Sequence, residues 1–79
     1  MAKVTIYTTP YCVYCRMSKE FFKKHEVAYE ERDVAIDLQA REYMIQKSGQ
    51  MGVPVIEVDG EIIIGFDQPH LREALGIKG

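Results

Sequence analysis

Two cysteines, Cys12 and Cys15, are the only ones in the 79-residue chain, and they stand three apart in Cys12-Val13-Tyr14-Cys15. The chemistry open to such a pair is thiol–disulfide exchange: a thiolate attacks a disulfide sulfur, and a second thiol resolves the mixed disulfide. An ordinary thiol, with a pKa near ~8.5, is only about 3% ionised at neutral pH, so a reactive cysteine needs surroundings that favour the anion. A helix start supplies them through its unpaired N–H groups and the positive end of its dipole. Cys12 falls just before an expected helix, and Cys15 follows one turn later on the same face. Cys12 is therefore read as the nucleophile and Cys15 as the more buried resolving thiol. Arg16 and Lys19 are solvated helix residues that also add positive potential.

Other uses of the pair fit less well. As a structural staple it would close a very short loop and remove little entropy from the unfolded chain. A structural zinc site needs four ligands. The remaining candidates, His25 and His70, are singletons without ligand spacing and read as surface helix residues. No metal ligand is assigned within the chain. A metal or iron–sulfur site shared by two chains is the alternative of another class.

The elements that must hold the cysteines are legible in the pattern. Lys3 to Tyr7 alternates and is rich in β-branched and aromatic residues, so it predicts a strand that Thr8-Thr9-Pro10-Tyr11 ends. From about Val13 to His25 the residues favour a helix, with Ser18 and Phe22, and Met17 and Phe21, as an inward stripe. Ala28 to Val34 is a second, more polar strand. Asp37 caps a helix running to about Ser48, with Leu38, Arg41, Met44, Ile45 and Ser48 along one side and Gly49 as its stop. Val53 to Val58 and Glu61 to Ile64 are strands, and Asp59-Gly60 between them is a tight hairpin turn. A last helix spans about Gln68 to Leu75, with Pro69 in its first turn and an end near Gly76. The order β-α-β-α-β-β-α predicts an α/β fold: a mixed four-stranded sheet flanked by helices on both faces.

Bulk properties set the limits. The length allows one domain, residues 1–79, with a thin core, because a chain this short buries only about 60% of its unfolded surface. A net charge of −2 gives no electrostatic reason to expect nucleic acid or an anionic membrane as partner. No apolar run approaches the ~20 residues of a membrane helix. Met1 to Tyr7 lacks the basic and apolar regions of a signal peptide, so the cytoplasm is the expected address.

Three separated segments resemble the glutaredoxin family of the thioredoxin fold: Ile6-Tyr7-Thr8 leading into the cysteine motif, then Gly52-Val53-Pro54, then Gly65-Phe66-Asp67. The resemblance covers essentially the whole chain. It implies an enzyme, a monomeric thiol–disulfide oxidoreductase acting on protein disulfides or glutathione mixed disulfides by dithiol exchange. It also implies a cis Val53–Pro54 bond that turns the Val53 backbone toward the cysteines, where a substrate pairs as an added strand. Tyr14, Val53, Pro54, Gly65, Phe66 and Asp67 would border a glutathione groove. By that resemblance glutathione is a co-substrate, and no cofactor is tightly bound. Independently of it, Pro54 reads as a strand-start proline, Asp67 as a helix cap, and Phe66 as a possible core residue.

The chain departs from the family pattern at four places. Val13 stands where most dithiol members have proline, Thr9 where many have a lysine that meets the tripeptide carboxylate, and Gly52 where threonine is usual. Ile64-Gly65-Phe66-Asp67-Gln68 replaces a Gly-Gly turn with paired aspartates. Val13 and Gly65-Phe66 are similar instead to redoxins that feed ribonucleotide reductase and are recharged by thioredoxin reductase. Those usually carry a tryptophan, and this chain has none. Glutathione and a thioredoxin-reductase-type flavoprotein thus stand as alternative electron sources, and disulfide-containing proteins as clients.

Overall fold

The computed structural model describes residues 2–77. The elements are β1 (Val4–Thr8), α1 (Val13–Lys24), β2 (Glu30–Asp33), α2 (Leu38–Ser48), β3 (Val55–Val58), β4 (Glu61–Ile64) and α3 (Gln68–Leu75). They form one four-stranded sheet in the order β2-β1-β3-β4. β1 and β2 are parallel, while β1–β3 and β3–β4 are antiparallel. The sheet is mixed and helices cover both faces, as the pattern predicts. β1, β2 and β4 run in one direction. The segments that follow them, and the one that precedes β3, therefore gather at the same end of the sheet.

Side chains alternate between faces along each strand. Val4 pairs with Val58, Ile6 with Ile56, and Ile56 with Ile63. These residues join Phe21 and Phe22 of α1 and Leu71 of α3 in the larger core cluster. On the other face, Tyr7, Val34 and Val55 meet Met44 of α2.

Local signals explain the element ends. Asp37 and Asp67 cap α2 and α3 with their carboxylates, and Gly49 and Gly76 end those helices in left-handed conformations. Asp59 and Gly60 both take positive φ, 50° and 89°, as their two-residue hairpin requires.

Four expectations change. Met17 is 41% exposed; the inward stripe of α1 runs through Cys15, Ser18 and Phe22, one residue away from it. Ser18 fits there because its hydroxyl donates to the Tyr14 carbonyl at 2.8 Å. Val53 and Pro54 lie ahead of β3 rather than within it, and β2 is shorter than its polar stretch suggested. His25 is half-buried rather than fully at the surface: its ring packs 4.6 Å from that of Phe21, and its Nε2 is buried without a hydrogen-bond partner among the described residues.

Candidate functional site: the disulfide at the start of α1

Cys12 is the N-cap of α1, with extended backbone dihedrals of φ −100° and ψ 112°. Its sulfur accepts the Cys15 N–H at 3.1 Å, and its carbonyl accepts the Arg16 N–H at 3.2 Å. The sulfur thus occupies the place where a serine or aspartate oxygen usually satisfies a free N–H. No acidic residue lies in the first turn of α1, so nothing there competes with a sulfur anion for the dipole.

Cys12 and Cys15 are joined in a disulfide, with Cα atoms 5.2 Å apart. Their accessibility differs sharply. Cys15 is 1% exposed and belongs to the core, whereas Cys12 is half-buried. Tyr11, Val13 and Tyr14 adjoin them in the chain and Met51 precedes the Val53–Pro54 segment; all four are large, apolar or aromatic, and more than half exposed.

Two different surfaces flank Cys12. Toward β2 a cleft of about 290 Å³ is lined by Thr8, Thr9, Arg16, Lys19, Glu31 and Asp33, among others. Lys19 is held by Glu31 at 2.8 Å, while Arg16 has no ion-pair partner among the described residues. The strand order also brings the Val53–Pro54 segment to this end, and its peptide bond is cis. The Pro54 carbonyl accepts the Gly65 N–H at 2.8 Å, which ties the proline segment to the Gly65-Phe66-Asp67 turn.

The residues expected around a groove divide into two sets. Tyr14 is exposed, Val53 and Gly65 are half-buried, and Pro54 is buried. Phe66 turns instead into the larger core cluster, its ring edge-on to Phe21 at 5.8 Å. Asp67 caps α3, its Oδ1 accepting the His70 N–H at 3.2 Å. His70 pairs with Glu61. Among the described residues no group of three or more His, Cys, Asp or Glu side chains is placed to hold a metal ion.

Gln50 was not singled out in the sequence. Its side-chain amide brackets Gly52, donating to the Gly52 carbonyl at 2.9 Å and accepting the Gly52 N–H at 2.8 Å. A β-carbon on Gly52 would fall 2.8 Å from that amide oxygen, so a larger residue there would displace the Gln50 side chain. An amide side chain two residues before Gly-Val-Pro was the only available signal.

A redox-active cysteine pair capping a helix at the same end of the sheet as a cis-proline, on this strand order, defines a thioredoxin-like oxidoreductase. Comparison with known proteins narrows the class. Residues 4–63 match the Glutaredoxin family model. An uncharacterized glutaredoxin-like 8.6 kDa protein of Clostridium pasteurianum is 41% identical over 91% of this chain and 96% of its own length. Glutaredoxin 3 of Escherichia coli K12 is 36% identical over 96% of this chain and 92% of its own. A glutaredoxin-like protein NrdH of Lactococcus lactis is 32% identical over 89% and 96%. Among solved structures, the T8A mutant of the thioredoxin-like protein BC3987 superposes with a TM-score of 0.91 at 37% identity, covering 99% of this chain and 100% of that one. The chain belongs to the glutaredoxin family and is a thiol–disulfide oxidoreductase.

Proposed function

We propose that the protein reduces disulfides of protein clients by dithiol exchange, with Cys12 as nucleophile and Cys15 as resolving thiol. The observation that carries this reading is the asymmetry of the pair: Cys12 is half-buried at the helix cap, and Cys15 is 1% exposed. The Cys12 thiolate attacks one sulfur of the client disulfide, forming a mixed disulfide and releasing the other client sulfur as a thiolate that takes up a proton. Cys15, as thiolate, then attacks the Cys12 sulfur and frees the second client thiol. The client gains two electrons, and the protein is left with the Cys12–Cys15 bond seen here.

The apolar rim of Tyr11, Val13, Tyr14 and Met51 supports a protein client, since these side chains offer contact area that a small anionic peptide does not use. Val53 and Pro54 act in this reading as the edge on which the client backbone pairs. Glutathione mixed disulfides are a second substrate class, for which the half-buried Val53 and Gly65 and the exposed Tyr14 remain accessible. Phe66 and Asp67 serve packing and capping first. On this reading the chain works as one domain and as a monomer in the cytoplasm. The described residues contain no helix long and apolar enough to cross a membrane.

The test is a coupled assay with NADPH and either glutathione plus glutathione reductase or thioredoxin reductase alone. Cys12→Ser should abolish turnover with both. Cys15→Ser should lose dithiol turnover yet keep reduction of glutathione mixed disulfides, where free glutathione resolves the intermediate. Full activity in Cys12→Ser would refute the assignment of the nucleophile. A coloured, iron-containing dimer after anaerobic purification would favour a cluster carrier instead.

A further inference from the structure

α2 covers only part of its sheet face. Beyond it, toward the end of the sheet opposite Cys12, lies an open groove of about 720 Å³ between α2 and the strands. Its floor is a row across three strands, because Thr5 of β1 is in register with Glu30 of β2 and with Glu57 of β3. Side chains paired in this way stand about 5 Å apart on one face. Two carboxylates therefore flank one hydroxyl.

Thr5 and Tyr7 are both more than nine-tenths buried and both line this groove. The Thr5 hydroxyl has no hydrogen-bond partner among the described residues. Glu57 is half-buried and receives the Tyr43 hydroxyl at 2.8 Å. Burial first, and then the Glu57 charge, push Tyr7 up to about 12, so its hydroxyl stays protonated beside the carboxylate.

Of the other charges around the groove, three carboxylates and one guanidinium are engaged, whereas the Lys3 ammonium has no ion-pair partner among the described residues. Arg32 binds Glu30 at 3.1 Å, the Asp37 carboxylate caps α2, and that of Asp59 accepts the Lys3 N–H. Glu57 sits half-buried in a central strand with no ion-pair partner among the described residues, although Lys3 lines the same groove. A carboxylate in that setting gains from a cation that also donates hydrogen bonds. An alkylammonium, with three donors, matches the three acceptors of the row.

We propose that this groove is a second binding site, for an alkylammonium group seated between Glu57 and Glu30 on the Thr5 hydroxyl. The tyrosine rings of Tyr7 and Tyr43, with centroids 5.9 Å apart, give the alkyl chain an apolar wall. The group could belong to a free diamine or to a lysine side chain.

Titration of the oxidised full chain with putrescine, at constant ionic strength, tests the site through backbone amide NMR shifts. Saturable shifts are expected at Thr5, Glu30 and Glu57, with the Cys12 loop unmoved. Glu57→Gln should weaken binding by about tenfold or more. Thr5→Val, which keeps both carboxylates and the strand shape, should weaken it too and guards against a folding defect in the first variant. Nα-acetyl-lysinamide separates the sources: binding comparable to that of putrescine assigns the site to a lysine side chain, and binding by putrescine alone assigns it to a free amine. Shifts that fail to saturate, that sodium chloride reproduces, or that Glu57→Gln leaves unchanged would overturn the proposal. So would a groove already filled by the Lys3 ammonium, which would leave putrescine without effect.

Discussion

Where an ordinary helix start has an oxygen, α1 has the Cys12 sulfur, accepting an N–H from the turn that follows. One interaction thus caps the helix and sets an acceptor-friendly environment at the sulfur. Thr9 lines the adjacent cleft in place of a cation. A charge-assisted hydrogen bond is worth about 1.5–3 kcal/mol, so Thr9→Lys should raise kcat/KM for glutathione mixed disulfides by roughly tenfold to a hundredfold. Steady-state kinetics on both reductants will show whether the gain is confined to glutathione.

His70 presents a separate, pH-dependent feature. Its hydrogen bond to Glu61 raises its pKa above 6.5, with desolvation acting in the opposite direction. Because the folded value is the higher one, the stabilisation is complete below the unfolded value and is lost as pH rises through the folded value. The Tm difference between the wild type and His70→Asn should therefore shrink as pH climbs above about 6.5. A difference that grows with pH would contradict this assignment.

At the scale of elements, α2 is held by little apolar contact. Met44 is its one buried residue, and Leu38 is 66% exposed. Its ends therefore matter. Asp37 accepts the Ala40 N–H at 3.1 Å, and its replacement by alanine should cost about 1 kcal/mol. Urea unfolding should show a lower midpoint at unchanged slope. The edge strand β2 is built from Glu30-Glu31-Arg32-Asp33, a charged run that discourages pairing with another sheet. The hairpin turn, the helix caps at Asp37 and Asp67, and the stops at Gly49 and Gly76 were all legible, because each satisfies backbone groups within a few residues. Met17, His25 and Gln50 were not, because what surrounds each depends on elements or backbone packed beside it in three dimensions.

For the whole molecule, stability rests on two thin clusters divided by the sheet. Phe22 is fully buried in the larger one, against Ile6, Ile56 and Leu71. Phe22→Ala should cost about 3–5 kcal/mol, a large share of the ~5–15 kcal/mol available to a domain. Equilibrium denaturation should place this variant near or past the threshold of unfolding at room temperature. A loss below about 1 kcal/mol would mean that the core collapses around the cavity.

The sequence by itself determined the reactive pair, its position at a helix start, the order of the elements and the turns that separate them. All of these follow from periodicity and from hydrogen bonds made nearby along the chain. Only the tertiary structure decided what surrounds them. The order β2-β1-β3-β4 carried Val53–Pro54 and the Gly65 turn to the same end of the sheet as Cys12, packed Phe66 against the core and aligned Glu30, Thr5 and Glu57 across three strands. Those neighbours come from strand pairing and core packing between distant segments, and the local pattern of residues does not encode which distant segment arrives.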